Sequence, residues 1–590
     1  MLRRLVLVLA LVVMLPWPGQ GETPQVTILS PPPNSAFAAG QRFDVQALFS
    51  GGEKLRLRLL LDGRELPAVV SGDRLRVADL VVTQPGEHRL RVEAHAPAAR
   101  GKGETLVAQA EQVFQVRAWP EPGGRVKHVL LFIGDGFGLA QRTAARAALY
   151  GFSGGKVRGV LAMDRLPVGG FVMTSSLSGF VTDSAAGAHA FATGTKTANG
   201  MMGLFPDPTP EDQDNPKVEP LPCLLYRTRG MVTGLVSDAD LTDATPAAFL
   251  AQVADRGEAE AIAQQYLAKA DGCGVRVLLG GGRKAFTKPK DLLPFFGAAG
   301  FAQAFSATEL RQRMEQKPDK LLGLFAERHM SNPFDLQKRG DPGVVAHNPD
   351  QPSLAELTEA ALAVLSRDGA GFFLMVEGAL IDKEAHMLDA ERMLWEVYNL
   401  DKALEVALRF AAVTNGDDDP TNDTLVILTA DHETGGVVLP GVTDPSHRGT
   451  REQVGTYDRM GFPEAADADR DGFPDNPDWE KKLVVHFGAA PDHYDDFRSQ
   501  PKPVPPALAG EDKKVHANPA KDGSTGVLYT GVTEVAVPEK GYAPDRGVHT
   551  GVDVPLSALG PGAERLSGVH DNTEIFFAIL QALRPAAPSP

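Results

Sequence analysis

The sequence His128-Val129-Leu130-Leu131-Phe132-Ile133-Gly134-Asp135-Gly136 decides the fold class of this chain. Its apolar run shows no polar alternation, so the strand it predicts must be buried on both faces. Strands of this kind belong to parallel sheets that helices cover on both sides. Asp135 follows the run directly and therefore lies at the carboxyl end of the predicted strand, where open α/β sheets form their functional sites.

The same pattern recurs further along the chain. Four more short apolar runs predict buried strands: Met231–Ser237, Val275–Leu279, Phe372–Val376 and Thr424–Leu428. Helical periodicity marks Leu354–Leu365 and Glu391–Phe410. We therefore expect a doubly wound, mostly parallel α/β sheet with helices on both faces over residues 121–590. A stretch rich in Asp, Pro and Gly follows Gly436 and predicts an insertion at about 437–546.

Residues 22–120 follow a different pattern, in which apolar and polar residues alternate. Six short strands are predicted there: Gln25–Ser30, Arg42–Phe49, Lys54–Leu61, Arg74–Val82, His88–Ala94 and Thr105–Arg117. Asp62-Gly63 is a hairpin signal between two of them. This number of short strands predicts an Ig-like β-sandwich. The segment carries no nucleophile or metal-ligand pattern in its sequence.

The first 21 residues predict a cleaved secretory signal. Met1–Arg4 is basic, Leu5–Leu15 is apolar, and Pro16–Gly21 contains helix breakers and small residues. The apolar run is too short to span a bilayer, and no later stretch reaches the roughly 18 apolar residues that a membrane helix needs. We therefore expect an exported protein, periplasmic or secreted, without a membrane span.

Charge and cysteine content narrow the function classes. The chain of 590 residues has 59 Lys and Arg against 75 Asp and Glu, a formal net charge of −16. An acidic chain without basic clusters repels nucleic acid, so we expect no nucleic-acid-binding surface. Cys223 and Cys273 are the only cysteines. In an oxidising compartment they can form a disulfide, and the sequence leaves this open against two free thiols.

Several predicted strands end in polar clusters. These clusters are Gly134-Asp135-Gly136, Asp243-Ala244-Thr245, Glu377-Gly378 and Asp431-His432. A lone Asp in such a place is commonly a helix cap or turn former, but four ends with convergent carboxylates and imidazole favour a metal site. Asp382 and His386 are four residues apart and share one helical face. Imidazole with carboxylate oxygens suits Zn²⁺, and carboxylates with the Thr245 hydroxyl suit Mg²⁺.

Ser184 is the candidate nucleophile. It lies in Thr182-Asp183-Ser184-Ala185-Ala186-Gly187, a small-residue turn that leads into a helical stretch. A helix N-terminus favours an oxyanion or a bound phosphate through its free backbone N–H groups. The alternative role of such a serine is a simple N-cap.

Taken together, these motifs and His549-Thr550-Gly551 resemble the alkaline phosphatase family, in the family's own order. The resemblance covers Val126 to about Leu583 and excludes the N-terminal sandwich. It implies an alkaline phosphatase that hydrolyses phosphate monoesters, small molecules among them, through a phosphoserine on Ser184. It also implies Arg256 as the phosphate clamp, on the helix after Asp243, with Asp183 beside the phosphate.

The same resemblance implies the metal ligands. One zinc would be held by Asp382, His386 and His549, a second zinc by Asp135, Asp431 and His432, and magnesium by Asp135, Thr245 and Glu377. Asp243 and Lys383 match the bacterial form of the family and would lie next to the magnesium. The resemblance is also compatible with a homodimer.

Two other functions stay open at this stage. A phosphodiesterase of the same superfamily would use the same metal core, because Arg256 favours a dianionic monoester without forbidding a second ester group. A different class of protein would bind a surface or polymer through the sandwich, as its main function. A sulfatase is disfavoured, because the sequence after Ser184 lacks the x-Pro-x-Arg pattern of that family.

A second metal site is predicted inside the insertion. Asp occupies positions 1, 3, 5, 9 and 12 of an EF-hand-type calcium loop, with Gly472 at position 6; these residues are Asp467, Asp469, Asp471, Asp475 and Asp478. Pro474 and Pro477 disfavour a following helix, so we expect a stand-alone Ca²⁺ loop. The alternative is a solvated acidic loop.

Overall fold

The structure is a computed structural model of the whole chain. It describes residues 23–51, 55–98, 103–121, 123–208, 214–337, 342–442, 461–463, 467, 470, 472–473, 483–489, 507–509, 514–517, 534–536 and 546–585. The predicted signal, Met1–Gly21, lies outside these residues, as do Asp469, Asp471, Asp475 and Asp478 of the predicted calcium loop. Both therefore stay predictions.

Nine strands lie in the part of the N-terminal region that the structure describes. They are β1 (Gln25–Ser30), β2 (Ala36–Ala38), β3 (Arg42–Ser50), β4 (Arg56–Leu61), β5 (Arg64–Leu66), β6 (Val69–Ser71), β7 (Arg74–Val81), β8 (Gly86–Pro97) and β9 (Glu104–Arg117). They make two sheets, in the orders β1-β3-β7-β6 and β2-β9-β8-β4-β5. Asp62 and Gly63 take positive φ between β4 and β5, which are antiparallel, as the hairpin signal predicts. The predicted β-sandwich is confirmed.

Helices and strands alternate in the rest of the chain. In order these are β10 (His128–Gly134), α1 (Leu139–Tyr150), β11 (Phe152–Ser153), β12 (Lys156–Val157), β13 (Val168–Met173), α2 (Ser184–Thr193), α3 (Leu221–Arg229), β14 (Val232–Asp240), α4 (Ala244–Ala248), α5 (Ala259–Lys269), β15 (Val275–Gly281), α6 (Arg283–Thr287), α7 (Leu293–Ala298), β16 (Ala302–Ala304), α8 (Ala307–Glu315), β17 (Leu321–Leu324), α9 (Pro333–Leu336), α10 (Pro342–His347), α11 (Leu354–Leu365), β18 (Phe372–Gly378), α12 (Leu380–His386), α13 (Ala390–Thr414), β19 (Thr424–Thr429), β20 (Glu433–Thr434), β21 (Val437–Val442), β22 (Leu483–Phe487), β23 (Ala507–Ala509), β24 (Lys514–Ala517), β25 (Glu534–Ala536), β26 (His549–Thr550), β27 (Val554–Leu559), β28 (Gly568–Asp571) and α14 (Thr573–Ala582).

A ten-stranded sheet organises this part of the chain. Its order is β16-β17-β15-β14-β18-β10-β19-β27-β13-β28. Neighbouring strands are parallel except around β27, which runs antiparallel to both β19 and β13. Every residue of β10, β18 and β19 is buried, so both faces of the sheet centre are covered. The predicted doubly wound, mostly parallel α/β fold is confirmed.

Contacts divide the chain into two compact units. The first comprises the described residues of Met1–Asn34, Asp44–Leu80 and Glu87–Phe114. The second comprises Ser35–Phe43, Val81–Gly86 and those of Gln115–Pro590. Within the second unit, Cys223 and Cys273 form a disulfide. The sequence left open whether these cysteines are bridged or free, and the structure has them bridged.

Candidate active site

Three carboxylates lie at the ends of three adjacent strands. β18, β10 and β19 are neighbours in the sheet, and Glu377, Asp135 and Asp431 lie at or just beyond their carboxyl ends. All three side chains are buried. This edge is where the sequence predicted the site, because parallel strands deliver their carboxyl ends to one side of a sheet.

Ser184 is the first residue of α2 and points into this cluster. Its Oγ lies 3.3 Å from Nε2 of His432, and its side chain is buried. Asp183, and not Ser184, is the N-cap: its carboxylate accepts a hydrogen bond of 3.0 Å from the Ala186 N–H. The serine hydroxyl is therefore not used for capping, and it remains at the N-terminal end of a helix whose dipole favours negative charge.

Three histidines turn the same ring nitrogen, Nε2, toward the cluster. His386 Nδ1 lies 2.6 Å from the Gly547 carbonyl oxygen and His549 Nδ1 lies 2.9 Å from that of Thr182. A carbonyl can only accept, so each Nδ1 carries a proton, and in the neutral ring each Nε2 keeps a free lone pair. These two Nε2 atoms are only 3.1 Å apart. Such bare, converging nitrogens form the arrangement of metal-binding histidines.

The hydroxyl of Thr434 orients two of the predicted ligands together. It donates to Oδ1 of Asp382 over 2.5 Å and lies 3.2 Å from Nδ1 of His432. Because its proton is used on Asp382, its lone pair accepts the Nδ1–H of His432, which frees the third Nε2. Sequence reasoning missed Thr434. The available signal was its position two residues after His432, in the strand that pairs with His549.

The buried carboxylates need a compensating cation. Burial and then the nearby Asp382 raise the pKa of Asp135 to about 8. Burial and the charge of Asp135 raise the pKa values of Glu377 and Asp431 well above the ordinary range. Three buried oxygens of predicted ligands make no hydrogen bond: Oδ1 of Asp135, Oγ1 of Thr245 and Oδ2 of Asp431. Unpaired oxygens among like charges fit bound metal ions, which would restore ionisation of the carboxylates.

Two sets of ligand atoms lie close enough to share an ion. Each set has its donor atoms within 4.8 Å of one another: Asp135, Asp431 and His432 in one, Asp382, His432 and His549 in the other. The first set is the one expected for the second zinc. In the second, His432 takes the place expected for His386, although His386 Nε2 is 3.2 Å from Asp382 Oδ1. His432 thus lies between the two sets.

Arg256 is fixed between two carboxylates. One guanidinium nitrogen lies 3.0 Å from Oδ2 of Asp183, and the other lies 3.0 Å from Oδ1 of Asp243. Lys383 binds the remaining oxygen of Asp243 at 2.9 Å. Burial acts to raise the pKa of Asp243, but the two cations outweigh it and hold that pKa well below its ordinary value. The expectation of a helical Arg256 is wrong: it lies in the turn before α5.

A family model described as alkaline phosphatase matches residues 126–584, the part of the chain that contains this site. The chain belongs to the alkaline phosphatase family. Streptomycin-6-phosphate phosphatase of Streptomyces griseus is 31% identical to it over 528 residues, which cover 81% of this chain and 94% of that protein. Alkaline phosphatase of Escherichia coli K12 is 34% identical over 354 residues, covering 52% of this chain and 70% of that protein.

A solved structure agrees with this assignment. The crystal structure of Thermus thermophilus alkaline phosphatase matches with a TM-score of 0.54 at 27% identity, covering 80% of this chain and 94% of that one. This alkaline phosphatase family member is therefore a phosphatase of the phosphomonoesterase type, and its family uses metal ions. Over the part of the phosphatase chain that the structure describes, none of the helices combines the length and apolar character needed to cross a membrane.

A short two-stranded ribbon holds the two histidine-bearing loops of the phosphatase together. Thr434 of β20 is paired with His549 of β26. Glu433, the other residue of β20, also fixes the ribbon, since its carboxylate accepts hydrogen bonds from Gln141 Nε2 at 2.9 Å and from the Val437 N–H at 3.0 Å. The histidine that is distant in sequence is thus positioned by backbone pairing.

Proposed function

We propose that this chain is an exported alkaline phosphatase that hydrolyses phosphate monoesters through a phosphoserine on Ser184, at a site for two zinc ions and one magnesium ion. The observation that carries the proposal is the 3.3 Å approach of the Ser184 hydroxyl to Nε2 of His432, inside the cluster of bare nitrogens and buried carboxylates. Export is supported by the signal pattern at Met1–Gly21.

The predicted ligand sets assign the ions. Asp382, His386 and His549 would hold one zinc, Asp135, Asp431 and His432 the other, and Asp135, Thr245 and Glu377 the magnesium. When bound, the ions supply positive charge to the phosphate and to the oxygens that exchange on phosphorus. Three divalent ions carry +6 against −4 for Asp135, Glu377, Asp382 and Asp431, so a site in an acidic protein attracts an anion.

Besides the ions, the side chains of Ser184 and Arg256 act on the phosphate ester. The Ser184 hydroxyl gives up its proton and its oxygen forms a bond to phosphorus, while the bond from phosphorus to the ester oxygen breaks. The ester oxygen takes up a proton and leaves as the alcohol. Water then cleaves the bond between phosphorus and Ser184 Oγ, which restores the serine and releases inorganic phosphate. Arg256 has N–H groups left over beyond those given to Asp183 and Asp243, and these bind two phosphate oxygens. Because Arg256 is already held, little reorganisation is needed when charge develops.

Phosphoenzyme trapping tests the proposal. We expect acid-quenched protein, loaded with Zn²⁺ and Mg²⁺ and given a ³²P-labelled aryl phosphate, to carry label on Ser184. Ser184→Ala should carry none and lose at least about 10³-fold in kcat, because the nucleophile is gone. Ser366→Ala, an exposed serine elsewhere in the chain, is the matched control and should label like the wild type. Labelled Ser184→Ala protein would refute the phosphoserine route. An aryl phosphodiester assayed in parallel separates monoesterase from diesterase activity.

A further inference from the structure

Phe180 is exposed in an unusual way for an aromatic side chain. With 77% of its surface accessible, it is the most exposed large apolar residue in the described part of the chain. It lies four residues before Ser184. Aromatic side chains usually stabilise a fold by being buried in its core. Because most of the Phe180 ring is exposed, it contributes little to folding.

The backbone that carries Phe180 is nevertheless firmly held. Asn199 makes three hydrogen bonds to the segment: its N–H donates to Ser178 Oγ at 2.9 Å, its Nδ2 donates to the Val181 carbonyl at 3.0 Å, and its Oδ1 accepts from the Asp183 N–H at 3.3 Å. A ring presented on an anchored backbone can bind a partner without a large loss of conformational freedom.

The Phe180 ring lies against the loop that carries His549. A methyl group added at Gly551 would come within 2.2 Å of Phe180 Cε1, so the ring edge packs directly on the Gly551 backbone. Gly551 is only two residues beyond His549, whose Nδ1 is bonded to Thr182. The ring therefore lies next to two segments of the site. It belongs to the segment that leads to Ser184, which we call the nucleophile loop, and it packs on the segment that carries His549, the histidine loop.

Other exposed apolar side chains lie on the same two segments as Phe180 and Gly551. Val181, Val548 and Val552 are 36%, 39% and 54% exposed. Val181 is on the nucleophile loop, and Val548 and Val552 flank His549 and Gly551. We name these three valines and Phe180 the Phe180 rim: four exposed apolar residues on two segments that meet where His549 Nδ1 bonds the Thr182 carbonyl.

We propose that Phe180 is a specificity-determining residue that stacks on the leaving group of the phosphate ester and favours planar, aromatic alcohols. The inference rests on the proposed function. In-line attack by Ser184 makes the alcohol leave on the side opposite the serine. Because Ser184 Oγ approaches His432 of the one predicted zinc set, we assign the leaving group to the other set, Asp382, His386 and His549. Because the Phe180 rim adjoins His549, a flat leaving group there covers the exposed ring, and offset stacking stabilises the complex.

Two substrates that differ in the leaving group test this inference. We measure kcat/KM for naphthyl phosphate and glycerol phosphate with the wild type, Phe180→Ala and Phe180→Trp, each loaded with Zn²⁺ and Mg²⁺. Phe180→Ala should lower kcat/KM about fivefold for naphthyl phosphate, and less than twofold for glycerol phosphate. Phe180→Trp should keep the preference. Phe295→Ala removes another exposed phenylalanine, on α7, and should leave both values unchanged.

Three outcomes would overturn the inference. The first is an unchanged ratio between the two substrates in Phe180→Ala. The second is an equal loss on both substrates accompanied by dissociation of an oligomer in sedimentation, which would make the rim a contact between copies of the chain. The third is a wild type that hydrolyses neither ester, which would remove the proposed function itself and is distinguishable from the other two.

Discussion

Arg256 shows how much of a phosphate clamp depends on a single planar group. Its two terminal nitrogens bind two different carboxylates, Asp183 and Asp243, each at 3.0 Å. Lysine offers a single ammonium nitrogen in place of this planar pair, so it cannot give each carboxylate a nitrogen of its own. We expect Arg256→Lys to lose about 10- to 100-fold in kcat/KM for a phosphate monoester, since hydrogen bonds to charged groups are lost in the complex. Arg328→Lys, at an exposed arginine, serves as the control; an unchanged Arg256→Lys would mean that only the charge matters.

His128 gives a second prediction at this scale, this time on acid stability. The ring is buried at the start of β10, lies 4.4 Å from the Phe372 ring, and has an Nδ1 without a hydrogen bond. Burial lowers its pKa from 6.5 to about 3. Between these values the unfolded chain binds the proton more strongly, so His128 costs the fold stability as the pH falls below 6.5, by about 2 kcal/mol at pH 5.

Replacing the titrating ring by an apolar one should remove that cost. We expect His128→Phe to keep the aromatic packing and to lose less stability than the wild type between pH 7.5 and pH 5, in denaturant unfolding followed by fluorescence. Parallel stability curves for the two proteins over this range would contradict the assignment of the lowered pKa.

Residues with a distinctive chemistry were the ones that the sequence could predict. Asp135, Asp431 and His432 follow buried apolar runs, and strand ends are visible in sequence. Thr434 was not predicted, because a threonine acts on His432 and Asp382 only through hydrogen-bond geometry that spacing does not reveal. The helical position expected for Arg256 came from the family resemblance and not from any periodic signal in the residues around it. In the structure the turn at Arg256-Gly257 comes first and α5 begins at Ala259.

At the scale of elements, helix α2 must end sharply after presenting Ser184. Gly194 takes the left-handed conformation, with φ of 72°, and its N–H caps the Ala190 carbonyl. A methyl group there would lie 2.5 Å from Cδ1 of Phe576, on α14. Gly194→Ala therefore combines backbone strain, about 1 kcal/mol, with a clash, and we expect a loss of about 2 to 3 kcal/mol in stability.

Gly300→Ala separates the two contributions. Gly300 is also left-handed, with φ of 88°, but has nothing within 4 Å of the added methyl group. It should lose only the strain contribution in the same denaturant titration. Equal losses in the two variants would show that packing of α2 on Phe576 adds nothing.

Helices and strands with a regular repeat of apolar residues were predictable from the sequence. Pairings between strands of only two residues were not. Leu354–Leu365 was predicted as a helix and α11 has those bounds, because its apolar positions repeat at helical spacing and Ser353 with Glu356 forms a capping box. The two-residue strands β20 and β26 carry no periodic signal. They form because distant loops are brought together, and only tertiary structure can specify such a pairing.

At the scale of the whole molecule, the sequence boundary at residue 120 does not coincide with the division by contacts. Ser35–Phe43 belongs to the second unit, although the surrounding sequence has the alternation of sandwich strands. Sequence pattern reports local strand character, whereas the unit to which a strand belongs depends on long-range packing. Phe37 illustrates this, since its buried ring lies 6.5 Å from that of Phe205 in an edge-on contact.

Gln41 makes this long-range packing testable. It is fully buried in the second unit, and its Nε2 donates to the carbonyls of Thr193 and Glu219, both at 2.9 Å, while its Oε1 accepts from the Ala38 N–H at 3.0 Å. Gln41→Leu removes the side-chain partner of these three backbone groups, two of them at buried and one at a partly buried hydrogen bond. We expect a loss of about 3 kcal/mol in the free energy of unfolding, because each buried unpaired group costs about 1 kcal/mol or more.

The same substitution should also lower the thermal stability of the active site, because Gln41 bonds Thr193, the last residue of α2. We expect thermal inactivation of Gln41→Leu at a lower temperature than the wild type, with activity at 25 °C retained because Ser184 lies at the other end of the helix. Gln115→Leu replaces an exposed glutamine of β9 and should behave like the wild type. A Gln41→Leu protein as stable as Gln115→Leu would show that the three side-chain hydrogen bonds of Gln41 do not stabilise the second unit.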